Sequence, residues 1–159
     1  MKYRRLRPDE LTELEPQFVR FLASNTVTAD DWQELKTENR EKAERLIDLF
    51  SDLVFAQTIE KIQFLQRRSP REIQCFACLP DKIQLRGLRV EGESPLDFTR
   101  NDSPSQMLEQ LAQSGAELQL YRAEKAYQPS RDRELFTMLE SGCLIANGDV
   151  YRTLDGLKS

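Results

Sequence analysis

At Ser69-Pro70 the spacing of apolar residues changes from three and four to two, and this change divides the chain. Before it, Leu11, Leu14, Phe18, Phe21 and Leu22 recur at helical intervals. So do Ala43, Leu46, Ile47, Phe50, Leu53 and Val54. After it, Ile73, Cys75 and Ala77 alternate with Gln74, Phe76 and Cys78, which is a strand pattern. Two periods held in separate blocks predict an α+β fold. The expectation is a set of N-terminal helices, including one long central helix, packed on a small and mainly antiparallel sheet with two hairpins. Residues 1–159 are read as one domain, with a helical half over 1–68 and a β-rich half over 71–159.

The helical half carries its own punctuation. Pro8 suits a first helical turn, with Asp9 and Glu10 near the positive end of the helix dipole. Pro16 lies inside the same pattern and predicts a kink or a restart. Thr28 followed by Asp31 reads as a capping box opening a short helix over 29–36. Trp32, the one tryptophan, is read as a packing anchor between the N-terminal helices. A long helix is predicted over 37–66, ended by Ser69-Pro70. Its centre, LIDLFSDLVFA, is apolar around most of its circumference, which suits a helix covered on more than one side.

In the second half, LPDK predicts a turn between two strands. The inward parity changes after Gly87, and a bulge there would account for it. Residues 91–104 read as a polar loop holding Phe98 among Asp97, Arg100 and Asp102. A helix over 105–113 ends at Gly115, AELQLYRA reads as a third strand, and QPSRDRELFTMLESG as a helix. Asn147-Gly148 predicts a closing hairpin.

Composition excludes several chemistries. The chain has no histidine, which removes Ser-His-Asp and Cys-His catalysis and histidine-held zinc or haem. Three cysteines are odd in number and too few for a disulfide framework or a four-cysteine zinc site. Six unclustered glycines make no phosphate-binding loop. No window approaches the roughly 18 apolar residues of a membrane span, and no secretory signal is visible, so a cytoplasmic protein is expected. No catalytic residue, cofactor or resident metal is assigned.

Three constellations remain. Cys75 and Cys78 have redox spacing, but on a strand they would point to opposite faces, and no helix follows to lower a thiol pKa. Glu44, Asp48 and Asp52 form a carboxylate stripe at helical spacing, and such like charges call for a neutraliser. That neutraliser could be a divalent cation, a basic partner or the chain's own arginines. Arg67, Arg68, Arg71, Arg86 and Arg89 crowd the junction and first hairpin as a candidate patch for phosphate, RNA or an acidic partner. The net charge of −4 is uneven: residues 1–7 hold four bases and no acid, residues 8–60 thirteen acids against five bases, and residues 61–90 seven bases against two acids.

The segments MKYRRL (Met1–Leu6), TADDW (Thr28–Trp32) and FSDL (Phe50–Leu53) resemble those of an uncharacterised family of small proteins from the Bacteroidota. The resemblance extends to the GDVYRTL near the C-terminus. It implies a bacterial, cytoplasmic, single-domain protein and carries no activity, ligand or residue role.

Three functional readings follow. The first is a non-enzymatic interaction or regulatory protein with a protein partner or a second copy of itself, self-association running through an edge strand. The second is an RNA- or ribosome-associated accessory protein using the arginine set. The third is a metal-dependent enzyme using the carboxylate stripe.

Overall fold

The computed structural model describes residues 1–92, 94–100 and 103–157. Asp102 of the polar loop therefore lies outside the described residues. Two compact units are present, Met1–Glu60 and Lys61–Ser159.

The first unit holds α1 (Pro8–Glu13), α2 (Glu15–Ser24), α3 (Ala29–Glu38) and α4 (Arg40–Lys61). The restart expected near Pro16 is present: the helix breaks at Leu14, and Pro16 sits in the first turn of α2, where it has no amide proton to lose. The capping box is present too. Asp31 N donates to Thr28 Oγ1 at 3.1 Å, and Thr28 N donates to Asp31 Oδ2 at 3.0 Å. Phe18, Leu22, Leu46 and Phe50 are buried together with Leu6 and Val27. Trp32 meets Phe18 edge-on at 5.1 Å, and Phe50 meets Phe18 at 5.0 Å. Each such ring pair adds about 1 kcal/mol beyond its buried area. Ser51 is fully buried yet satisfied, accepting from Leu6 N at 2.9 Å and donating to Ile47 O at 2.7 Å.

The long helix is shorter at both ends than the predicted 37–66. It starts at Arg40 because Asn39 ends α3 and its Oδ1 accepts from Lys42 N at 3.3 Å. It ends at Lys61 because the next residues form a strand, β1 (Phe64–Ser69). Phe64-Leu65 fits either period, and Ser69-Pro70 belongs to a strand turn, not to a helix end.

The second unit is built on one antiparallel sheet: β1, β2 (Glu72–Cys78), β3 (Lys82–Glu91), β4 (Glu117–Ala126) and β5 (Leu144–Ala146), in the order β4-β3-β2-β1-β5. Its helices are α5 (Pro104–Ser114), α6 (Arg131–Glu140) and α7 (Asp149–Asp155). Ile73, Cys75 and Ala77 of β2 share one sheet face with Leu88 and Val90 of β3. That face is closed by Met107 and Leu111 of α5 and by Val150, Tyr151 and Leu154 of α7. With helices before and among strands that all pair antiparallel, the fold is α+β.

Two local expectations are corrected. Gly87 makes no bulge, since the β2–β3 register runs unbroken from Glu72↔Arg89 to Cys78↔Ile83. The parity change instead reflects a strand with apolar residues on both faces, Ile83 and Leu85 on one and Leu88 and Val90 on the other. Gly87 is glycine because the Tyr121 ring from β4 occupies the space of its side chain: an added Cβ would fall 2.0 Å from Tyr121 Cζ. The Tyr121 hydroxyl reaches Glu72 and accepts from Gln74 Nε2 at 3.1 Å. Likewise Asn147-Gly148 closes no hairpin. Gly148 has φ 89°, Asn147 Oδ1 accepts from Asp149 N at 3.0 Å, and α7 begins. A left-handed glycine serves a hairpin turn and a helix start equally, and Val150, Tyr151 and Leu154 at helical spacing decide between them. The two hairpins of the sheet are β1–β2 and β2–β3.

Gly87→Ala should therefore destabilise the fold by about 1–3 kcal/mol, the usual cost of forcing a packed ring to move. In a Tyr121→Ala background the same substitution should cost far less, which urea unfolding of the four variants in a double-mutant cycle will measure.

Candidate functional site

The carboxylate stripe of α4 finds its neutraliser in the basic N-terminal segment. Asp48 accepts from Arg5 Nε at 2.6 Å and from Nη2 at 3.2 Å. Asp52 accepts two backbone amides, Lys2 N at 2.8 Å and Tyr3 N at 3.0 Å. Glu44 adds a favourable field at Arg5, whose pKa is raised chiefly by its hydrogen bond to Asp48. Exposed ion pairs contribute about 0–1 kcal/mol each, whereas backbone amides on a carboxylate contribute about 1.5–3 kcal/mol. Glu10 completes the arrangement, accepting from Arg4 Nη1 and from Arg7 N, both at 2.8 Å. The Arg4 guanidinium beside it pushes the Glu10 carboxyl down to about 2.

The five arginines divide between the two sides of the sheet. Arg68 and Arg86 share the face of Ile73 and Leu88, while Arg67 and Arg89 occupy the other, following the strand registers. Arg67 donates to Ser141 Oγ, and Arg68 donates to the carbonyls of Phe98 (3.2 Å) and Arg100 (3.3 Å). Arg89 pairs with Glu72 at 3.0 Å and lies over the Tyr121 ring. Arg71 is exposed in the β1–β2 turn. These positions make no single patch.

Cys75 and Cys78 are both buried free thiols. Cys75 lies in the core face of β2, and strand alternation sends Cys78 to the other side. Burial pushes Cys75 up to about 12 and Cys78 up to about 11. Neither is a thiolate at neutral pH, the form that nucleophilic and metal-binding cysteines use. Among the described residues, no three cysteine, aspartate or glutamate side chains are grouped to hold a metal ion.

Arg86 leads to a feature that the sequence reading missed. It pairs with Asp155 Oδ1 at 2.7 Å, and Arg122 of β4 reaches the same oxygen at 3.3 Å. Arg122 Nη2 also donates to the Asp155 carbonyl at 2.9 Å. Arg86↔Arg122 is a register pair of β3 and β4, so the two guanidiniums stand side by side. They border a groove of about 490 Å³ whose walls include Leu120, Leu154 and Leu157. Arg86 is held from behind by the Tyr151 ring at 5.5 Å and by the Leu85 carbonyl at 3.0 Å. Its hydrogen bond, against a smaller burial effect, keeps the Asp155 carboxyl below its usual range. The only sequence signal for Arg122 is its place in the alternation of AELQLYRA, which does not reveal its neighbour across the sheet. Arg131, also unnoticed, donates to the carbonyls of Ile62 (2.6 Å), Leu79 and Cys78 (both 3.4 Å), tying α6 to the sheet.

Fold and site together define an α+β protein with a five-stranded antiparallel sheet and an arginine-bordered groove. The chain belongs to the family of unknown function DUF6495, whose model matches residues 1–159. No curated protein and no solved structure matches it. No helix among the described residues is long and apolar enough to cross a membrane.

Two outcomes are expected. The Glu10 carboxyl has a folded pKa below its ordinary 4.5, so its stabilising effect is present above about 4.5 and is lost as pH falls toward about 2. Glu10→Gln should flatten the pH dependence of unfolding free energy in that window. In thiol labelling with Ellman's reagent at neutral pH, the folded protein should react slowly at Cys75 and Cys78 and quickly only in denaturant. Fast labelling of either in the folded state would contradict the burial described.

Proposed function

We propose that this is a non-enzymatic interaction protein, bacterial and cytoplasmic in setting, that self-associates through the β5 edge of its sheet. The observation that carries this reading is the contrast between the two sheet edges. β4 is guarded by Glu117, Arg122, Glu124 and Lys125, which disfavour pairing with another chain. β5 carries only Leu144, Ile145 and Ala146, and Leu144 is 69% exposed and Ile145 55% exposed. Alternation puts these two on opposite faces of the sheet, so a second β5 laid antiparallel beside the first would cover both. A two-fold axis through such a pair brings identical apolar side chains together with no charge to match.

The strand is only three residues long. A standard interface buries about 800 Å² per partner, so β5 alone supports a weak, concentration-dependent dimer. Other readings draw less support. An RNA-accessory role asks for a continuous basic surface, and the arginines alternate between faces. A metal enzyme asks for available carboxylates on α4, where Asp48 and Asp52 already hold the N-terminal segment.

Sedimentation velocity across a wide range of protein concentration should show a reversible monomer–dimer equilibrium. Ile145→Lys should shift it to monomer without changing the circular dichroism spectrum. A wild-type chain that stays monomeric throughout, or a variant that dimerises equally, would refute the β5 interface.

A further inference from the structure

The geometry points to the Arg86–Arg122 groove as a binding site for a small organic carboxylate with an apolar body, its charged group taking the place that Asp155 fills. The inference goes beyond self-association and does not depend on β5. Two cations converge on one carboxylate oxygen, so the groove holds more positive than negative charge at that point. The occupant the protein supplies is itself a carboxylate: Arg86 Nε donates to its Oδ1, Arg122 Nη1 faces the same oxygen, and Arg122 Nη2 takes the Asp155 backbone carbonyl, so two guanidiniums already stand where a carboxylate is held. Arg86, with its side chain 15% exposed, is pre-set by Tyr151 and the Leu85 carbonyl, so little ordering remains for a ligand to impose. Arg122, 56% exposed, can adjust. Asp155 stands on the last turn of a seven-residue helix, where displacing one side chain leaves the buried Val150, Tyr151 and Leu154 in place.

The rest of the groove specifies the remainder of the ligand. The partly buried Leu120 and Leu157 offer apolar wall beside the charged end, with the buried Leu154 beneath them. A volume of about 490 Å³ falls in the range of small-molecule sites, in which apolar walls supply affinity and a few polar groups fix orientation. Lys82 and Glu124 pair with each other at 3.3 Å further along the same strands, and Glu124 is near enough to act on Arg86, so Lys82, Arg86 and Arg122 against Glu124 and Asp155 leave one net positive charge at this end.

Hexanoate and hexanol share an apolar body and differ in charge, and serve as probes of the full chain by NMR. Hexanoate should shift the resonances of Tyr151 and Leu120, and hexanol should not. Asp155→Asn, which removes the competing charge and keeps the side-chain shape, should tighten hexanoate binding several-fold. Arg122→Ala should abolish it, and Arg122→Lys, which keeps charge but loses the second donor, should weaken it, each with an unchanged circular dichroism spectrum. If hexanoate shifts nothing in either the wild type or Asp155→Asn, the site does not exist. Equal binding of hexanoate and hexanol, or binding that survives Arg122→Ala, would overturn the carboxylate assignment. Ile145→Lys should bind hexanoate as the wild type does, so a failure of the dimer and a failure of the groove are told apart.

Discussion

Ile73 and Cys75 on β2, with Leu88 beside them on β3, have no solvent exposure at all, and the second unit is organised by the burial of that one sheet face. Removing apolar area from water stabilises by about 25 cal/mol per Å², and β2 collects this benefit while paired on both edges. The helices α5 and α7 supply the cover. Once they lie there, Cys75 is locked inside apolar packing and its thiol cannot ionise near neutral pH. The same placement of α7 brings Asp155 to Arg86 and Arg122. Packing thus removes one apparent site and creates another.

Charge in the first unit follows a parallel logic. A helix with carboxylates at every fourth residue needs a counter-charge, and the sequence places one forty or more residues away in the chain. The N-terminal segment lies along α4 because Asp48, Ser51 and Asp52 each accept from it. Leu6 then turns into the core beside Phe18 and Phe50. Electrostatic neutralisation and hydrophobic burial act on the same few residues, which is why the basic start and the acidic stripe are parts of one structural arrangement.

Much of the local structure was legible. The capping box at Thr28, the restart near Pro16 and the left-handed stop at Gly115 each depend on two or three neighbouring residues. Failures came where one signal serves two structures. Phe64-Leu65 fits a helix or a strand, and it was pairing with β2 and β5 that selected the strand. Gly87 marked a close approach of Tyr121 instead of a bulge, because the ring that needs the space is 34 positions further along the chain. Of the candidate site, Arg86 was visible from its basic surroundings, but Arg122 was not, since only the β3–β4 register makes them neighbours.

The sequence by itself determined the α+β class, the separation of helical and extended blocks, and the absence of histidine chemistry, because period and composition are local or additive properties. Tertiary structure alone decided how deeply the Cys-x-x-Cys thiols, already set on opposite faces by strand alternation, are buried, and that the α4 carboxylates hold the N-terminus. It alone decided that two arginines on adjacent strands share one aspartate. The physical reason is common to all three: a side chain's pKa, partner and reach depend on what packs against it, and those neighbours are set by strand register and helix docking between distant segments.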